Sequence, residues 1–151
     1  MSRAFVKETA EGAPPPERMV SSGPNLVTGE GLAKIAAEVA RLEAALAAEK
    51  NVLLRETLER DLRYWRQSLS TAQVVKRSGE DGAVAFGATV TFSRNGGTPQ
   101  TVRIVGEDEA DPKAGLVNFR SPQAQALIGA QVDDTVEMQS PRAEITIIKV
   151  E

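Results

Sequence analysis

The 151-residue chain contains no cysteine and no histidine, so thiolate nucleophiles, imidazole bases, disulfides and the common zinc ligand sets are all absent. A metal site would have to be assembled from carboxylates and carbonyls, a donor set that suits magnesium or calcium. Three groups of residues remain as candidates for chemistry or binding. Glu49, Lys50 and Asn51 stand between two apolar repeats. Arg55, Arg63 and Arg66 fall within about 80° of one another if their segment is a helix. Ser121 and Pro122 open a short run that ends at Gly129.

Each group also has a plain reading. The lone carboxylate of Glu49 sits beside the cation of Lys50, which repels a second cation. The arginines lie next to a row of leucines, and long basic stems commonly cover a hydrophobic edge. Their functional reading is a stripe facing a polyanion or an acidic wall, with binding that falls as salt rises. Ser followed by Pro is ordinary helix-start chemistry, with Ser as cap and Pro at the first helical position.

The elements that position these groups follow from periodicity. Thr28 can cap a helix whose apolar residues fall at Leu32, Ile35, Val39, Leu42 and Leu46, in steps of three and four, and alanines around that seam favour helix. After Glu49-Lys50-Asn51 a second seam runs through Leu54, Leu58, Leu62, Trp65, Leu69 and Ala72. A connection this short permits only an antiparallel hairpin. Tyr64 and Trp65 are placed to contribute packing at its base.

Beyond Arg77 the pattern changes to alternation and β-branched residues punctuated by glycine, which predicts strands at 84–86, 88–93, 101–105, 116–119, 135–139 and 143–150. Asn95-Gly96-Gly97 signals a hairpin turn. Ser121, Pro122 and Gly129 bound a short helix. The expected fold class is α+β: an N-terminal antiparallel helical hairpin over residues 28–76, then a small antiparallel sheet with one short helix over 77–151. Residues 1–27, with Ala13-Pro14-Pro15-Pro16 and Ser21-Ser22-Gly23-Pro24, read as a flexible extension.

Hydrophobic residues at 41% and charged residues at 26% describe a folded chain rather than a disordered one. No apolar run is long enough to span a bilayer, and Met1 to Val6 lacks the apolar core of a secretory signal, so the expected location is the cytoplasm with no membrane partner. Residues 28–78 carry nine Lys and Arg against seven Asp and Glu, whereas 79–151 carry six against eleven. Neither half is basic enough for free DNA binding.

Three ordered stretches carry a family resemblance: Val84-Ala85-Phe86-Gly87-Ala88-Thr89-Val90-Thr91, Arg103-Ile104-Val105-Gly106-Glu107-Asp108-Glu109-Ala110-Asp111, and Ser121-Pro122-Gln123-Ala124-Gln125-Ala126-Leu127-Ile128-Gly129 followed by Val132-Asp133-Asp134. Together with Asp61-Leu62-Arg63-Tyr64-Trp65 on the returning helix, they resemble the bacterial Gre (GreA/GreB) transcription elongation factors. The resemblance implies an FKBP-like C-terminal domain that docks on the rim of the RNA polymerase secondary channel and a coiled coil that enters the channel. It implies polymerase contact around Arg120, Ser121, Pro122 and Gln123, with Arg120 standing where an acidic or amide residue is expected. It also gives the arginine stripe a possible partner in nascent RNA.

The tip departs from the family. Cleavage-stimulating members carry Asp-Leu-x-Glu-Asn-x-Glu-Tyr there, and adjacent acids are needed to help hold a second magnesium ion that activates water. Here the tip is Glu49-Lys50-Asn51; Glu56 and Glu59 are expected on the solvated flank. The hairpin is roughly 20 residues shorter than a full Gre finger, or about 15 Å less reach. The reading is therefore a short Gre-like regulator of polymerase, neither an enzyme nor dependent on a cofactor or metal. Its alternatives are a true cleavage factor, a protein-interaction module unrelated to polymerase, and a prolyl isomerase. The last needs an aromatic-lined pocket, and the C-terminal domain offers only Phe86, Phe92 and Phe119.

Overall fold

The computed structural model describes residues 13–76, 82–139 and 141–151. The chain divides into two compact units, one holding Ile35–Ser70 with the preceding residues up to Gly23, the other Pro24–Lys34 and Thr71–Glu151.

Two helices, α1 (Gly29–Ala48) and α2 (Val52–Thr71), form the hairpin. Thr28 caps α1 as its sequence predicts: its hydroxyl accepts the Gly31 N–H at 3.0 Å, satisfying one of the donors a helix start leaves open. Val39, Leu42 and Leu62 are buried in the seam, with Leu46, Leu58, Trp65 and Leu69 packed on them. Leu54, expected in the same row, is 54% exposed. Leu46 and Leu58 pack on the seam, and Leu54 lies one turn closer to the tip. No described helix is long and apolar enough to cross a membrane.

The second unit begins with a strand that the sequence hides. β1 (Asn25–Val27), inside the stretch expected to be flexible, pairs in parallel with β2 (Ala72–Val74), so that Leu26 stands opposite Gln73. Three residues are too few to show alternation, which is why the pair was illegible.

The main sheet has strand order β5-β4-β3-β7-β6, built from β3 (Thr89–Arg94), β4 (Gln100–Val105), β5 (Leu116–Asn118), β6 (Thr135–Gln139) and β7 (Arg142–Val150). Four strands are antiparallel as expected, but β5 joins β4 in parallel, Ile104 opposite Val117. The sheet is therefore mixed. Two short 3₁₀ turns, Glu107–Glu109 and Pro112–Ala114, supply the crossover that a parallel neighbour requires. Asn95 and Gly96 both take positive φ, at 52° and 71°, which gives the β3–β4 turn the hand that hairpins favour.

The strand predicted at 84–86 is absent. The Val84 N–H donates to the Ala130 carbonyl and its carbonyl accepts from the Gly129 N–H, both at 2.8 Å, so this segment is tied to the exit of α3 (Pro122–Leu127) instead of a ladder. Alternate residues of the sheet, among them Val90, Phe92, Ile104, Ile145 and Ile147, share one core with Leu127 of α3.

Candidate functional site

The Ser121 region is built as a rigid corner. After β5 the chain turns on Asn118, whose carbonyl accepts the Ser121 N–H at 2.9 Å and whose side-chain oxygen accepts the Arg120 N–H at 3.0 Å. Ser121 then caps α3 by accepting the Ala124 N–H at 3.2 Å, with Pro122 at the first helical position. Gly129, at φ +92°, ends the segment, as glycine does when a left-handed residue must close a helix. Beside this corner lies a hollow of about 300 Å³ lined by Val117, Asn118, Ser121, Pro122, Gln123 and Met138, among others, with no aromatic side chain among the described lining residues. Phe86 and Phe119 instead meet edge to face at 5.4 Å.

Three of the four expected contact residues, Ser121, Pro122 and Gln123, line this hollow. Arg120 turns elsewhere: its Nη2 donates to the Pro24 carbonyl at 2.7 Å, and its guanidinium lies 5.2 Å from the centre of the Phe119 ring. It ties the corner to the strand-bearing segment that leads into α1.

At the hairpin tip the candidate residues build the turn itself. Glu49 accepts the backbone N–H groups of Lys50 and Asn51 at 3.1 and 3.0 Å. Asn51 caps α2 by accepting from Leu53 and Leu54. Arg55 donates to the carbonyls of Leu46 and Glu49 at 2.7 and 2.8 Å, closing the end of α1. The next three residues, Val52, Leu53 and Leu54, are all more than half exposed, so the tip presents an apolar surface. Among the described residues no group of three or more acids is placed to hold a metal ion.

The arginine stripe is divided among local partners. Arg55 serves the tip and lies 4.0 Å from Glu59; Arg66 lies 3.4 Å from Glu43 across the hairpin; Arg63 is bound by Glu17. Of the expected aromatic pair, Trp65 packs on the seam, and Tyr64 carries the Arg18 guanidinium 4.0 Å above its ring.

Sequence reasoning missed a buried carboxylate. Glu109, 6% exposed, accepts from the Thr28 N–H and the Gly106 N–H, both at 3.0 Å, and from the Thr28 hydroxyl. Two glycines make room for it. A Cβ on Gly31 would stand 2.2 Å from the Glu109 carboxyl carbon, and one on Gly106 would stand 2.4 Å from the Leu26 carbonyl. The clue in the sequence was Gly31 itself, an unfavourable residue in the first turn of an alanine-rich helix. Close by, Glu30 is held below the ordinary carboxylate range by a backbone hydrogen bond and by Arg103.

Residues 79–151 match the family described as transcription elongation factor, GreA/GreB, C-terminal. The C-terminal half of the chain is a GreA/GreB C-terminal domain. GreA of Verminephrobacter eiseniae is 51% identical over 76 residues, 48% of this chain and 48% of that protein. GreA of Haemophilus influenzae is 45% identical over 87 residues, 54% and 55% of the two chains. The chain thus spans about half the length of the curated relatives it matches. Among solved structures, Gfh1 of Thermus thermophilus aligns over 85% of this chain and 99% of its own at 18% identity and a TM-score of 0.41. The Gre domain match contains the whole five-stranded sheet, α3 and the Ser121 corner, together with Gly106 and Glu109; the hairpin tip lies outside it.

Proposed function

We propose that this Gre-family protein regulates transcription by binding RNA polymerase at the rim of the secondary channel, in the cytoplasm, through the Ser121–Pro122–Gln123 corner, and that it does not stimulate transcript cleavage. The observation that carries the second half is the tip. Its carboxylate, Glu49, accepts two backbone N–H groups on one oxygen, and beyond Lys50 and Asn51 come the exposed Val52, Leu53 and Leu54. Holding a catalytic magnesium calls for adjacent carboxylates. The first half is supported by the family match and by the hollow beside α3, whose apolar lining fits a side chain from a partner surface. Contact with nascent RNA belongs to the same reading; since Arg55 is committed to the tip, Arg63 and Arg66 carry it.

The test is retention on immobilised core polymerase, in competition with a full cleavage factor. The wild-type chain is expected to be retained and to be displaced by the competitor. Pro122→Ala with Gln123→Glu is expected to lose retention. These positions suit the test better than Arg120, whose replacement would also release the Pro24 carbonyl. Backtracked complexes incubated with the chain are expected to yield no short 3′ RNA fragment, and release of one would sink the non-cleaving reading. An isomerase reading gains nothing from a hollow without aromatic lining.

A further inference from the structure

The arginine face of α2 is already occupied by the chain itself. Glu17 meets Arg63 two-handed: one carboxylate oxygen accepts from Nε at 3.3 Å and the other from Nη2. The next residue, Arg18, lays its guanidinium over Tyr64 at 4.0 Å, with Trp65 at 5.8 Å, and reaches Asp61 at 3.5 Å. An anion on Arg63 and a flat, delocalised group stacked on the neighbouring ring is the pattern a nucleotide would present, with phosphate in place of the carboxylate and base in place of the guanidinium.

The manner of attachment is that of a displaceable cover. A segment held for stability would bury its apolar side chains, yet Met19 is 91% exposed and Val20 42%. The Arg63 and Glu17 side chains are themselves 55% and 64% exposed, and exposed pairs hold weakly and yield to salt.

We propose that Arg63 and Tyr64 form a nucleotide-sized contact for single-stranded RNA, and that Glu17 and Arg18 mask it in the free protein. This rests on the RNA contact in the reading above and adds its regulation: RNA gains the site by displacing residues 17 and 18. Masking lowers apparent affinity by the fraction of molecules in which the site is open.

The experiment is fluorescence anisotropy of a labelled single-stranded RNA octamer with the full chain, without polymerase, over a series of salt concentrations. Compared with wild type, Glu17→Ala/Arg18→Ala is expected to bind about five- to tenfold more tightly. Its log–log salt slope is expected to steepen by about 0.7, the share of one phosphate on a single strand. Adding Arg63→Ala is expected to abolish both changes. All three positions are exposed, so the fold should survive, and circular dichroism checks it. Equal binding by wild type and the double variant would overturn the mask while leaving the RNA contact standing. Binding by neither would remove the contact as well. A gain that persists without Arg63 would place RNA elsewhere and overturn the site.

Discussion

At the hairpin tip Glu49 accepts backbone N–H groups from the next two residues; in the other unit Glu109 accepts from Thr28, 81 positions away, and from Gly106. Both carboxylates organise a helix start. Glu49 and Asn51 prepare the entry to α2, and Glu109 holds the cap residue of α1. They differ in what surrounds them. The tip is open to water, which can replace any bond that Glu49 makes. Glu109 is buried, beside two glycines whose missing side chains leave it space. The same chemistry is therefore exchangeable in one place and fixed in the other, since the cost of an unmade hydrogen bond depends on whether solvent can substitute.

Removing the buried carboxylate should produce the largest effect. Glu109→Ala strands the Thr28 N–H, the Thr28 hydroxyl and the Gly106 N–H, and should cost about 3 kcal/mol or more in urea unfolding. A loss below about 1 kcal/mol would mean that water reaches the site. Gly31→Ala separates burial from propensity. In an exposed helix this change stabilises by up to about 1 kcal/mol. Here the new Cβ would fall 2.2 Å from the anchored Glu109 side chain, so the expected sign is reversed, with a loss of about 2 kcal/mol. Combining Gly31→Ala with Glu109→Ala should cost much less than the sum, because both act on one contact.

The contrast also explains what the sequence revealed. Both helices, the Thr28 and Ser121 caps, the Asn95-Gly96 turn and the long strands were legible because each is encoded within a few residues. Features that depend on distant partners were not. β1 has three residues and no period of its own; Val84 to Phe86 alternate like a strand, but Val84 finds its backbone partners after α3; β5 lies parallel because of two 3₁₀ turns that no apolar pattern announces. The same division holds for the candidate sites. The turn-building role of Glu49 and Asn51 follows from their types, whereas the bond from Arg120 to the Pro24 carbonyl, 96 positions away, is announced by nothing near it in the chain. Glu109 was passed over because an acid in Glu107-Asp108-Glu109 reads as solvated until Thr28 is seen above it.

At the exposed end of the comparison the effects should be small and local. Asn51→Ala removes the α2 cap and should cost about 1 kcal/mol. Glu49→Ala should cost about 0.5–1 kcal/mol, because its two N–H donors can turn to water. Hydrogen exchange should locate the faster opening at residues 50–55 and leave the sheet unchanged. If Glu49→Ala instead matched Glu109→Ala in cost, burial would not be the variable that distinguishes them.

Glu17 gives the mildest test, since here a carboxylate more exposed than the half-buried Glu49 is bound to a distant partner like Glu109. Its hydrogen bond from Arg63 holds its pKa below the ordinary 4.5 against an opposing desolvation, with Arg63 and Arg60 adding attraction through space. The Arg63 pKa is raised in turn, chiefly by the same hydrogen bond. A carboxyl whose pKa is lowered on folding contributes fully above its unfolded value and loses that contribution as pH falls through the folded one. The Glu17–Arg63 contact should thus be constant at neutral pH and dissolve only in acid, below 4.5. Trp65, the chain's single tryptophan, lies near Arg18 and should report the release as a fluorescence change at acid pH that moves to higher pH in added salt. Glu17→Gln should remove that step while the cooperative unfolding transition stays where it was. A step that survives in Glu17→Gln would assign the acid transition to another carboxylate and leave the attachment of residues 17 and 18 independent of charge.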